Sequence, residues 1–132
     1  GDGEGISKRI EVAVSGAASA ADAKALALSV ANSPLFKTAM AGADANWGRV
    51  AMALGKAGVA FDQAKLDLAF GGIAVAEGGA RVAGYDEAPV AAHLAGREIQ
   101  LDVRVGEGPG AARVWTCDLT HEYISINADY RS

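Results

Sequence analysis

The sequence predicts an α+β domain in which a mixed or antiparallel sheet is packed by helices. Three observations predict it. Ile10, Val12 and Val14 alternate with Glu11, Ala13 and Ser15, and Ile99, Leu101, Val103 and Val105 alternate in the same way, the period of strands with one buried face. Strand-like segments outnumber the long crossovers that a doubly wound parallel sheet requires. The chain has 132 residues, 51% of them hydrophobic and 21% charged, which suits one packed domain rather than a disordered segment.

The elements follow from local signals. Gly16 ends the first strand. Ser19 reads as an N-cap with Asp22 three residues on, so a helix follows through Lys24, Leu26, Leu28 and Val30. Pro34, after Asn32-Ser33, opens a second helix bearing Leu35, Phe36 and Met40. Gly42 to Asn46 interrupts it, and Asp44 or Asn46 caps a third helix with Trp47, Val50, Met52 and Leu54, closed by Gly55 to Gly58. Leu66, Leu68 and Phe70 alternate again. Gly71-Gly72 reads as a glycine kink or bulge before Ile73 and Val75, and Gly78-Gly79 as a turn. Asp86 and Glu87 start a short helix through Val90 and Leu94, where acids suit the positive end of the helix dipole. Gly106 to Gly110 is expected to be a hairpin loop joining the Ile99–Val105 strand to a partner at Val114–Leu119. Tyr123, Ile124 and Ile126 suggest a last strand. The expected order is β-α-α-α-β-β-α-β-β-β.

Composition excludes several functions. A net charge of −4 lacks the basic face that phosphate backbones need, so nucleic acid is excluded as a partner. No apolar run approaches the roughly 18 residues of a membrane span, and no secretory signal is visible. Cys117 is the only cysteine, which rules out an internal disulfide and fits a reducing cytoplasm. The 30 alanines and 17 glycines, against 6% aromatics, call for a core of small side chains and closely approaching backbones.

Candidate chemistry sits at few places. Gly1-Asp2-Gly3-Glu4-Gly5 precedes a strand, whereas a dinucleotide fingerprint follows one. It is either a flexible start or a backbone that crowds a site and projects Glu4 into it. Asp44, Asn46, Trp47 and Arg49 read as a helix cap with a core tryptophan, or as polar ligand contacts. His93, expected at the solvated end of a short helix, and His121 show no metal spacing. Cys117 shares a strand face with Trp115 and Leu119, which favours packing over reactivity. The end, Asn127-Ala128-Asp129-Tyr130-Arg131-Ser132, is either a disordered terminus or a docked one whose amide and hydroxyl meet a ligand.

The segment Val114-Trp115-Thr116-Cys117-Asp118-Leu119-Thr120, with Tyr123 and Ile126 through Ser132, resembles the C-terminus of the ornithine acetyltransferases, also called glutamate N-acetyltransferases, of arginine biosynthesis. Asp2-Gly3-Glu4-Gly5 with Ser7 and Lys8, Ala31-Asn32-Ser33-Pro34-Leu35, Lys37-Thr38-Ala39, Asn46-Trp47-Gly48-Arg49 and Gly71-Gly72 match the same family in the same order. The resemblance implies a precursor that cuts itself to free a threonine at the start of its β subunit. That threonine would take acetyl from N-acetylornithine and pass it to glutamate, with acetyl-CoA a further donor in some members and no cofactor. It implies two large and two small subunits, α and β. Residues 1–132 match the C-terminal domain of the β subunit, downstream of the nucleophile. Thr38, Thr116 and Thr120 lie outside the processing motif, so no catalytic residue is expected here. The carry-over assigns substrate binding to Glu4, Asn127 and Ser132, where the family more often ends in threonine. The alternative is a free-standing α+β amino-acid-binding or scaffold module.

Overall fold

A computed structural model describes residues 7–118 and the backbone of Ser125–Asn127. The order is β1 (Arg9–Ala17), α1 (Ala20–Ala31), α2 (Pro34–Ala41), α3 (Trp47–Gly55), β2 (Asp67–Phe70), β3 (Ile73–Glu77), β4 (Ala80–Arg81), α4 (Glu87–Ala95), β5 (Glu98–Arg104), β6 (Gly110–Cys117) and β7 (Ser125–Asn127). The strands form one mixed sheet in the order β4-β3-β2-β5-β1-β6-β7, as the α+β reading expects. Only β1 and β5 run parallel among these pairs. β4 was not anticipated, because two exposed residues leave no alternation to read.

The helices start where their caps place them. Ser19 Oγ accepts from Asp22 N at 3.1 Å, and Ser33 Oγ from Phe36 N at 3.2 Å, with Pro34 at the first helical position. Asn46, not Asp44, caps α3, accepting from Arg49 N at 3.2 Å. Asp86 caps α4. Buried side chains from all four helices join Ile10, Val12 and Val14 in one core, so the helices cover a single face of the sheet. α1 meets that core with Ala23, Leu26, Ala27, Val30 and Ala31, and its alanines let the helix lie close to β1 and β6. Each fully buried leucine or phenylalanine here stabilises the fold by roughly 1.5–3 kcal/mol.

Two expectations are corrected. Both strands flanking Gly106–Gly110 form, but they do not pair with each other: β1 inserts between them, Val12 facing Leu101 on one side and Val114 on the other. The glycines serve a crossing over the end of β1 rather than a hairpin. Val105 N donates to Ser15 O and Gly108 N to Gly16 O, each at 3.0 Å. A Cβ on Gly16, whose φ is +78°, would lie 2.1 Å from Gly106 O. Gly71-Gly72 is neither a kink nor a bulge but the turn of the β2–β3 hairpin, both residues having positive φ as a type I′ turn demands. The irregularity in this pair falls between Leu68 and Ala69 instead.

Candidate functional site

The alternation of β1 continues backward to Lys8, which has the same phase as Ile10 and Val12 and therefore points toward the helices. Its ammonium finds the carbonyls that end two helices. Nζ donates to Met40 O in the last turn of α2 at 2.9 Å, and to Leu94 O in the last turn of α4 at 2.8 Å, with Ala41 O at 3.5 Å. A cation at helix C-termini satisfies orphan carbonyls and the negative end of each dipole. The main chain of Lys8 is held as well. Its N–H donates to Asp118 Oδ1 at 2.6 Å, and Asp118 N donates to Lys8 O at 3.3 Å. Arg9 faces Cys117, so Lys8 and Asp118 extend that antiparallel register by one step. This joint lies at one end of two adjacent inner strands of the sheet, β1 and β6.

Two polar side chains are buried among the described residues, Lys37 on α2 and Thr116 on β6. Thr116 Oγ1 has no hydrogen-bond partner among the described residues.

Of the residues assigned to substrate, Glu4 and Ser132 lie outside the described residues. Asn127 is described only as backbone, facing Arg113 across the β6–β7 pair. Arg113 Nε lies 3.2 Å from Glu11 Oε2, and its guanidinium sits 5.9 Å from the Trp115 ring centroid. Glu11 and Trp115, with Arg9, Glu98 and Gln100 and with His93 of α4, line a polar cavity of about 340 Å³.

The other candidates have structural duties. His93 is half-buried rather than at a solvated end: its Nε2 accepts the Gln100 N–H at 3.0 Å, which puts the ring proton on Nδ1. It also occupies the space beside Gly71, where a Cβ would lie 2.6 Å from its Cγ. Trp47 is half-buried and packs on the core, while Arg49 Nη1 donates to Leu35 O at 3.0 Å and ties α3 to α2. Cys117 is buried, as packing requires. His121 and Leu119 lie outside the described residues, as do Tyr123 and Ile124. Among the described residues, no group of three or more His, Cys, Asp or Glu side chains is placed to hold a metal ion.

Comparison with known proteins covers the whole chain, including the ends. The model of the ArgJ family matches residues 1–132. The chain belongs to the ArgJ family. It is 64% identical over 131 residues to the arginine biosynthesis bifunctional protein ArgJ of Zymomonas mobilis, a match covering 99% of this chain and 32% of that protein. The protein of the same name from Gluconobacter oxydans is 56% identical, covering 99% and 31%. The chain spans about a third of the length of the curated ArgJ relatives it matches. The crystal structure of the arginine biosynthesis bifunctional protein ArgJ from Bacillus halodurans superposes with a TM-score of 0.82 at 39% identity, over 92% of this chain and 57% of that one.

Sequence reasoning missed the part played by Lys8 and Asp118. A signal was available: a lysine and an aspartate continue the buried phase of two strands that face each other. What hid it was that the partners of Nζ are backbone carbonyls 32 and 86 residues away.

Proposed function

We propose that this chain is the C-terminal domain of the β subunit of a bifunctional acetyltransferase, which moves acetyl from N-acetylornithine to glutamate in arginine biosynthesis. The observation that carries the reading is the 64% identity, sustained over 99% of the chain, to a protein named for bifunctional action in that pathway. The two-chain form is supported by coverage: the match takes 57% of the crystallised Bacillus halodurans chain but about a third of the curated proteins.

In this reading the nucleophilic threonine belongs to the upstream part. It attacks the acetyl carbonyl, the ornithine amine leaves with a proton, and the glutamate amine later takes the acetyl group. The present chain recognises the substrates. A carboxylate at Glu4 pairs with the ornithine ammonium or relays the proton of the departing amine. Asn127 and Ser132 hydrogen-bond the substrate carboxylate without adding charge. The enzyme is cytoplasmic and assembles as a heterotetramer with the α subunit. Among the described residues no helix is long and apolar enough to cross a membrane.

The test uses the full-length protein. Purified wild type should form N-acetylglutamate from N-acetylornithine and glutamate, and parallel assays with acetyl-CoA settle the second donor. Glu4→Ala should lower kcat/KM by about a hundredfold or more, the usual scale for a lost acid, base or charge contact, while leaving self-cleavage and the unfolding midpoint unchanged. Wild-type turnover by Glu4→Ala removes Glu4 from the site. Absence of transfer by the wild type overturns the reading.

A further inference from the structure

We infer that Lys8, with Asp118, is a positioning residue for substrate recognition: the two form a clasp that sets where both substrate-binding segments of the chain originate. The inference rests on the functional reading above. Lys8 stands four residues after Glu4, and Asp118 nine residues before Asn127 and fourteen before Ser132. Lys8 and Asp118 are joined by two hydrogen bonds, from the Lys8 N–H to the Asp118 carboxylate at 2.6 Å and from the Asp118 N–H to Lys8 O at 3.3 Å. The side chain of Lys8 fastens the joint to the C-terminal turns of α2 and α4 through Met40 O and Leu94 O. The ammonium thus ties the start of β1 to α2 and α4, and the Lys8 main chain ties it to the end of β6. Four extended residues reach only about 14 Å, so displacing Lys8 displaces the range open to Glu4. A misplacement of about 1 Å at a reacting group costs up to about a hundredfold in rate. The half-buried ammonium is committed to carbonyls, so its part is geometric: it touches no reacting atom.

The experiment is carried out on the full-length enzyme. Lys8→Met keeps the length of the stem and removes all three donors. Asp118→Ala removes the acceptor of the Lys8 N–H, whereas Asp118→Asn keeps an oxygen there. Lys8→Met and Asp118→Ala should raise KM for N-acetylornithine about tenfold or more in enzyme that still self-cleaves, and Asp118→Asn should restore it to within about threefold of wild type. A purely structural role would lower Tm and leave KM unchanged in the folded fraction, and that result overturns the inference. Should Lys8→Met fail to fold, the Asp118 pair decides alone. Hydrogen exchange at the Lys8 amide, faster in Asp118→Ala, reads the clasp without the reaction. If the wild type transfers no acetyl while this exchange difference persists, the functional reading has failed and the clasp is only structural.

Discussion

At the scale of single residues, the structure uses glycine where another backbone or ring must come close. Gly71 is the sharpest case, because two independent constraints meet on it. Its φ of +58° favours glycine, and a Cβ there would stand 2.6 Å from His93 Cγ and 2.7 Å from Nδ1. The left-handed backbone alone costs an alanine about 1–2 kcal/mol, and the ring collision adds to it. Gly71→Ala should therefore destabilise the domain by about 2 kcal/mol or more. His93→Ala loses the bond to Gln100 N–H but opens the space, so the double variant should be less destabilised than the sum of the two singles. Urea unfolding of the four proteins measures that coupling. Strict additivity would show that the ring does not set the constraint and that φ alone does.

At the scale of elements, the sheet order is where sequence and structure part. Alternation showed which segments are strands and which residues are buried: Ile10, Val12 and Val14, Ile99, Leu101 and Val103, and Val114 all face the core. The cap at Ser19 and the helix starts at Pro34 and at Asp86-Glu87 were legible because their signatures are local; that Ser33 and Asp86 are the caps came from the structure. Pairing was not legible. β5 and β6 are separated by a short glycine-rich connection, and proximity in sequence favours a hairpin, yet β1 from the far end of the chain lies between them. Nothing within β5 or β6 records that choice; it appears only in the backbone packing of Gly16, Gly106, Gly108 and Gly110. The residues proposed for substrate show the converse. Glu4, Asn127 and Ser132 came from motif resemblance, while the contacts of Lys8 Nζ depend on long-range backbone acceptors. The sheet order makes a direct prediction for solution NMR. Cross-strand NOEs should join the Val12 backbone to Val114 and to Leu101, with none between the backbones of β5 and β6. NOEs linking Leu101 directly to Val114 would restore the hairpin and overturn the order.

At the scale of the whole molecule, the described residues pack around one core. Its accessible surface of 6526 Å² is close to the roughly 6500 Å² of a folded monomer of 13.3 kDa. One core runs from β3 to β6 and under all four helices. Such a unit should unfold in a single cooperative step. Catalysis, on the reading proposed here, needs the threonine of the upstream part, and recognition needs residues at both ends of this chain to be held against it. The 132-residue chain alone should then show one urea transition, coincident by fluorescence and circular dichroism, and no acetyl transfer. Calorimetry should give no dissociation constant tighter than about 1 mM for ornithine, N-acetylornithine or glutamate, because on that reading the contacts of this chain are only part of the site and do not offset the entropy lost on binding. Adding the upstream part in the same reading frame should produce both binding and turnover. Tight binding by the isolated chain would instead identify a free-standing amino-acid-binding module, in which the acidic and amide residues at the two ends form a complete site without the nucleophile.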